Sequence, residues 1–263
     1  MSLLKLFFNS LEDTWIITVR NLKRYLRLPQ LLFFSSVQPI MFLLLFNYVF
    51  GGALGQTTHI PGGKYIDFLL PGILVQMVMF GGVQTGIGLA EDMGKGIIDR
   101  FKSLPMSRLA VVAGRTLSDV LRNFSVILIM IIVGSLIGFR FQAGFLNACY
   151  MILFALLFGF ALSWIFAFIG MSVKDSETAQ LASFVMIFPL TFASSAFVSI
   201  QTMPSWLQAF VRNQPVTFVV EVARHFALGI PANGAVWKLS LWILAILIVF
   251  VPLAIRKYKN RNA

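Results

Sequence analysis

Apolar residues come in six long runs along this chain, with charged residues gathered between them. A helix that crosses a bilayer needs about 20 mostly apolar residues. Runs of that size predict spans at Leu31–Phe50, Phe68–Ala90, Val120–Phe139, Phe145–Met171, Ala179–Ile200 and Val236–Ile255. Ahead of the first run the pattern changes. Leu4, Phe8, Leu11, Trp15, Val19, Leu22 and Leu26 recur every three or four residues, and Lys5, Glu12, Asp13, Arg20, Lys23 and Arg24 fall largely elsewhere. This spacing predicts an amphipathic helix over residues 1–29, lying in the membrane interface and ended by Pro29. Leu3 to Phe8 is too short for the apolar core of a signal peptide, and Glu12 and Asp13 follow at once, so no cleavable leader is expected. The expected fold class is an all-α polytopic membrane protein with six transmembrane helices.

Composition narrows the class further. Of 263 residues, 58% are hydrophobic and 12% charged, against about 25% charged in soluble domains. Mean hydropathy is +0.85. A disordered chain, a nucleic-acid-binding domain and an ordinary soluble enzyme are excluded. Lys and Arg total 21 against 10 acidic residues, a formal charge of +11. With both termini in the cytoplasm, sixteen of these cations fall inside and five outside: Lys64, Arg140, Arg212, Arg224 and Lys238. Cationic loops stay cytoplasmic, so the expected topology is N-in, C-in across the cytoplasmic membrane. The basic excess then belongs to a membrane face.

Catalytic chemistry is hard to assemble from these residues. Cys149 is the single cysteine, which excludes a disulfide framework. The nearest match to a phosphate-binding loop, Gly51 to Thr57, has Gln56 where a lysine must reach the phosphates. His59 and His225 sit in separate outer segments. No catalytic or metal-binding residue is expected, which argues against a membrane enzyme acting on lipid. Asp67 and Asp119 are expected at span ends with access to water. Without ionisable groups inside the bilayer, ion-coupled transport and voltage sensing lose their usual machinery. Energy for any movement would come from a partner.

Two connections carry structure of their own. Residues 91–117 form the longest cytoplasmic loop, punctuated by Gly94, Gly96, Pro105 and Gly114. Ile97, Ile98, Phe101 and Leu104 fall on one side of a short helix that Pro105 stops. Such a helix suits docking in a groove of a soluble partner, with Phe101 as anchor and Arg100 and Lys102 at the rim. An ordinary loop that only orients the protein fits equally well. The outer segment, residues 200–235, is apolar and divided by Pro204 and Pro215. It reads as two short helices dipping into the outer leaflet, with Trp206 on the first. Glu221 and Arg224 on the second are three apart and could pair on one helix face, worth ~0.2–0.5 kcal/mol if exposed. Within the spans, Gly82 with Gly86 and Gly134 with Gly138 permit close helix contact. Gln38, Gln76, Gln84, Gln180, Ser163, Ser194 and Ser195 are polar at membrane depth, suited to interhelical hydrogen bonds or to lining a route. With 27 Phe and 11 Met, the interior can form an adaptable apolar slit.

GKGIIDRFKSLPMSRLAVVAGRTLSD, residues 94–119, resembles the cytoplasmic loop of type-2 ABC export permeases, nearest the daunorubicin-resistance-type branch. DFLLPGILVQ, residues 67–76, and residues 194–229 resemble the same branch in the same order. The resemblance implies a single type-2 ABC transmembrane domain over residues 1–263. It implies a separate ABC ATPase subunit that binds ATP and Mg, and no cofactor in this chain. It assigns Gly96, Asp99, Arg100, Phe101, Lys102, Ser103, Leu104 and Pro105 to a coupling helix that fits the ATPase cleft. The N-terminal helix, with Trp15, Arg20, Lys23 and Arg24, matches the family's interface helix. Residues 200–235 become re-entrant helices of an outer gate, with Pro204, Trp206, Pro215, Glu221 and Arg224. A second permease chain, identical or not, would complete the route for an amphipathic drug, antibiotic or lipid in a bacterial membrane. A lipid-linked polysaccharide or teichoic-acid-type polymer is the alternative cargo, and a non-transporting membrane scaffold the alternative function.

Overall fold

The computed structural model describes residues 3–27, 29–54, 64–98 and 108–260. Among them there are helices and turns and no strand. The chain runs α1 (Leu3–Arg27), α2 (Pro29–Leu45), a π-helical turn (Phe46–Phe50), α3 (Gly51–Leu54) and α4 (Tyr65–Gly94). Then come α5 (Arg108–Ile137), α6 (Phe145–Ser172), α7 (Ser176–Phe192), a 3-10 turn (Ile200–Thr202), α8 (Ser205–Val211), α9 (Pro215–Leu228) and α10 (Ala235–Asn260). Among the described residues, four helices are long and apolar enough to cross a membrane: Tyr65–Gly94, Leu109–Ile137, Phe145–Ser172 and Ala235–Tyr258.

Pro29 stands at the first position of α2, where a missing N–H costs nothing. The fifth apolar run differs from expectation. Its helix ends at Phe192 instead of continuing to Ile200, and residues 193–199 are turns. Pro189 lies inside α7, and Ser194 turns the chain beyond it, its hydroxyl donating to the Thr191 carbonyl and accepting the Ala196 N–H. At the other end Asp175 caps α7, accepting the Thr178 backbone N–H at 2.8 Å. That bond and one from the Thr178 hydroxyl hold the exposed Asp175 carboxyl below its usual range.

α4 is the axis of the bundle, buried along most of its length against α6, α7, α5 and α9. Glycines set the α4–α6 distance. A Cβ at Gly82 would meet the Phe166 ring at 3.1 Å, and one at Gly86 the Phe166 carbonyl oxygen at 2.5 Å. Gly170 lies directly against the Gly86 backbone, and Gly159 against Val78. Gly134 faces Leu70 of α4, where a Cβ would come within 2.6 Å. Gly138, expected at such a contact, has φ +120° and open space around it. It turns the chain: its N–H and that of Phe139 both donate to the Gly134 carbonyl.

α1 lies along the first turns of α5 and has three faces. Ile17 and Thr18 are buried, and Thr18 Oγ1 donates to the Gly114 carbonyl at 3.2 Å. A Cβ at Gly114 would come within 2.7 Å of Ile17. Arg20, Lys23 and Glu12 are exposed on a polar side. Leu11 and Trp15, part of the predicted apolar stripe, are exposed on a third, Trp15 by 58%. Val19 and Leu22 of the same stripe are half-buried.

Candidate functional site

A cavity of about 140 Å³ lies between α2, α4, α5 and α7. Phe42, Phe80 and Phe184 supply its aromatic wall, and Gln38, Gln76, Gln84, Arg122 and Asn123 its polar one. Gln38 and Gln84 are exposed at the mouth, and Gln76 is buried. The glutamines on α2 and α4 were visible as polar residues at membrane depth. Their convergence with Phe184 of α7 was not.

Beside the cavity α4 and α5 share a buried polar cluster. Thr85 Oγ1 donates to Asp119 Oδ2 at 2.5 Å, and Asp119 Oδ1 lies 3.7 Å from Arg122 Nη2. The same nitrogen donates to the Gly81 carbonyl at 2.8 Å and to Asn123 Oδ1 at 3.3 Å. Asp119 was expected at a hydrated span end and Arg122 at the foot of the third span; both are instead inside the protein. α5 starts at Arg108, so these residues lie three to four turns into a helix whose span was expected to begin at Val120. Their i, i+3 spacing was the signal available in the sequence. Nearer the α4 terminus, Arg115 Nη1 pairs with Asp92 Oδ2 at 2.9 Å. The Arg115 side chain crosses Gly88, which has no room for a Cβ.

The outer segment folds as the two prolines suggest. Pro204 precedes α8 and Pro215 opens α9. Trp206 is exposed by 73%. Arg224 departs from expectation. It is buried, and no contact ion pair joins it to Glu221. Its Nε donates to the Phe68 carbonyl at 3.1 Å, and its Nη2 to the carbonyls of Ser195 at 2.7 Å and Ala196 at 3.2 Å. The guanidinium sits 3.4 Å from the Phe68 ring centroid. Tyr65 donates to the Phe197 carbonyl at 3.0 Å, and Gln214 to that of Ala193. The carbonyls freed where α7 stops are thus met by side chains from α4, from α9 and from its N-terminal flank. Non-helical backbone at membrane depth needs such cover.

Of the coupling residues, Gly96 is described, with φ +66°, and Asp99, Arg100, Phe101, Lys102, Ser103, Leu104 and Pro105 lie outside the described residues. Ile98 just before them is buried with Leu89, Val112, Met171 and Tyr258 at one end of the bundle. Of the interface-helix residues, Trp15, Arg20 and Lys23 are exposed, and Arg24 stands on α1. Among the described residues no His, Cys, Asp and Glu cluster suits a metal.

The described residues thus form an apolar helical bundle with a cavity beside α4 and a turn after α7 that side chains of α4 and α9 clasp. The comparisons give its kind. Residues 12–228 match the family described as ABC-2 type transporter, and the chain belongs to that family. It is 37% identical to the daunorubicin resistance ABC transporter permease protein DrrB1 of Streptomyces coeruleorubidus, over 93% of this chain and 85% of that protein. It is 27% identical to a probable doxorubicin resistance ABC transporter permease protein, DrrC of Mycobacterium tuberculosis, over 92% and 87% of the two chains. The inner membrane transport permease YadH of Escherichia coli K12 is 23% identical over 87% and 86%. These are transport permease subunits, and an ABC-2 permease implies a partner ABC ATPase subunit.

Proposed function

We propose that this chain is the membrane half of an ATP-driven exporter for amphipathic molecules of the drug or antibiotic kind. The observation that carries the proposal is the 37% identity to a daunorubicin resistance permease over 93% of the chain. The cavity's phenylalanines and amides support it, since they suit a cargo with apolar and polar parts. A two-fold assembly of permease chains, with two ATPase subunits below, would complete the route.

Six spans with both termini in the cytoplasm accord with this role. α2 continues through the π-turn into α3, and the 17 residues of α7, at 1.5 Å each, reach about 25 Å. Residues 91–117 then face the ATPase, which supplies ATP and Mg chemistry. The helix from Gly96 to Pro105 receives its push. α1 rests on the inner leaflet with Trp15 toward lipid and Arg20, Lys23 and Arg24 toward headgroups. α8 and α9 form the outer gate.

The test is co-expression with the cognate ATPase, co-purification, and ATP-driven uptake of doxorubicin into inside-out vesicles. Phe101→Asp removes the proposed anchor and Arg100→Glu reverses a rim charge. Both are expected to lower co-purification and uptake about tenfold or more, as loss of a ~1.4 kcal/mol anchor contact does. Full assembly and uptake in both variants would overturn the coupling assignment. Absence of ATP-driven uptake in the wild-type complex would overturn the exporter assignment for this cargo.

A further inference from the structure

Beside α9 and α10 lies a groove of about 410 Å³, lined by Asn213, Phe218, Lys238, Leu241, Trp242 and Ala245. The last four stand at i, i+3, i+4 and i+7, so they share one face of α10. That face is not covered by this chain: Leu241 and Trp242 are exposed, and Leu244 and Ile248 extend the exposed apolar surface. α10 is long and apolar enough to span a bilayer, where such a surface meets acyl chains.

The groove changes character along the helix. Asn213 and Lys238 are exposed at its polar end. Ala245 lies seven residues beyond Lys238, about 10 Å along the helix axis. The interfacial layer of a bilayer is about 5–7 Å thick on each side. A phosphate at Lys238 therefore places Leu241 and Ala245 where the acyl chains begin. Trp242 stands between them, at the level where indole rings concentrate.

Charge selects the headgroup. Among the described residues the Lys238 ammonium has no hydrogen bond and no contact ion pair, and it sits 5.4 Å from the Phe218 ring centroid. Asn213 Nδ2 donates to the Ala209 carbonyl at 2.9 Å, which leaves its second N–H to give. Arg212, next in the chain, is exposed too, and its Nη2 donates to Gln208 Oε1 at 3.0 Å. Glu221 of α9 is half-buried and divides its attraction between Arg224 and Lys238. Two exposed cations against one shared carboxylate favour an anion.

We propose that this groove binds an anionic glycerophospholipid. Its phosphate lies between Lys238 and Asn213, and one acyl chain runs along Leu241, Trp242 and Ala245. The lipid bridges α10 to α9, the helix whose Arg224 holds the turn after α7. On the topology proposed above it comes from the outer leaflet. The site goes beyond the exporter assignment, and its test needs no ATPase.

The purified chain is placed in phosphatidylcholine nanodiscs containing a trace of phosphatidylglycerol or phosphatidylcholine, each with the same diazirine-bearing acyl chain. After irradiation, labelled peptides are mapped by mass spectrometry. Phosphatidylglycerol is expected to label the peptides of Phe218 and of Leu241–Ala245 saturably, and unlabelled phosphatidylglycerol to compete. Lys238→Gln should lower this labelling about fivefold, the equivalent of ~1 kcal/mol for one cation at a membrane surface. Lys238→Arg should retain it. Lys64→Gln removes an exposed lysine that does not line the groove and should change nothing. Ala245→Phe fills the apolar end and should lower labelling while the protein stays monodisperse. Phosphatidylglycerol should also raise Tm in wild type and not in Lys238→Gln. Equal labelling by the two lipids, or labelling that does not saturate, would mean ordinary boundary lipid and overturn the site. An equal loss in Lys64→Gln would replace the site with general surface charge. Absence of lipid labelling, with Lys238→Cys crosslinking two chains in a Cys149→Ser background, would give the face to a second copy of this chain and overturn the lipid.

Discussion

Arg224 shows how one residue changes role once its neighbours are known. On a helix drawn from sequence it stands three residues from Glu221, as a surface ion pair would. In the fold its guanidinium serves three carbonyls on two elements, Phe68 of α4 and Ser195 and Ala196 beyond α7. Arginine suits the position because it presents several donors in a fixed plane and stacks on the Phe68 ring. A lysine ammonium has three donors but no planar fork and no flat face to stack on Phe68. Arg224→Gln is expected to destabilise the protein by about 3 kcal/mol, since buried carbonyls lose a charged donor. Arg224→Lys should fall between wild type and Gln. Thermal melts of the purified variants check this, with protease sensitivity of residues 193–197 as the local readout. Wild-type melting of Arg224→Gln would show that the clasp contributes nothing.

At the scale of elements, the α4–α6 crossing depends on glycines that let backbones touch. Gly170→Ala puts a methyl against the Gly86 backbone, which cannot move aside as a flexible side chain can. Overpacking of this sort costs about 1–3 kcal/mol. Gly94→Ala, with nothing within 4 Å of the added atom, serves as the control and should fold as the wild type does. Yields of monodisperse protein for the two variants check the contrast, and equal yields would contradict it. The apolar runs at α4, α5, α6 and α10 were legible because bilayer thickness fixes their length, and the runs at α2 and α7 located shorter apolar helices. Pro204 and Pro215 likewise placed α8 and α9. The break after Phe192 was not legible, because Ala196, Phe197 and Val198 are as apolar as a helix interior and only tertiary donors make the turn affordable. The cavity was half legible. Gln38, Gln76 and Gln84 stood out one by one, yet Phe, Gln, Arg and Asn residues on four helices share no sequence spacing that predicts convergence. Asp119 and Arg122 were misplaced because a charge near a run's edge reads as hydrated until a helix beginning at Arg108 carries it inward.

Across the whole molecule, the proposed push on residues 91–117 has a physical route to the cavity. The loop leaves α4 and enters α5, so both of its anchors are helices of the cavity wall. Asp92 and Arg115 join those helices where the loop begins and ends, with side chains 15% and 12% exposed. Further along, Thr85, Asp119 and Arg122 join them again, and Arg122 lines the cavity itself. Two helices tied at two levels move together, so a displacement at the loop passes to the wall instead of being absorbed as bending between them. Cutting the outermost tie should therefore separate hydrolysis from transport. In the complex with the ATPase, Asp92→Asn is expected to assemble and hydrolyse ATP near the wild-type rate. Molecules moved per ATP should drop about fivefold, the consequence of losing ~1 kcal/mol of coupling. Arg115→Lys keeps the charge and should retain most of the ratio. Parallel measurement of phosphate release and vesicle uptake gives that ratio directly. An unchanged ratio in Asp92→Asn would mean that force travels by another contact, with α1 lying on the first turns of α5 at Gly114 as the remaining route into the bundle.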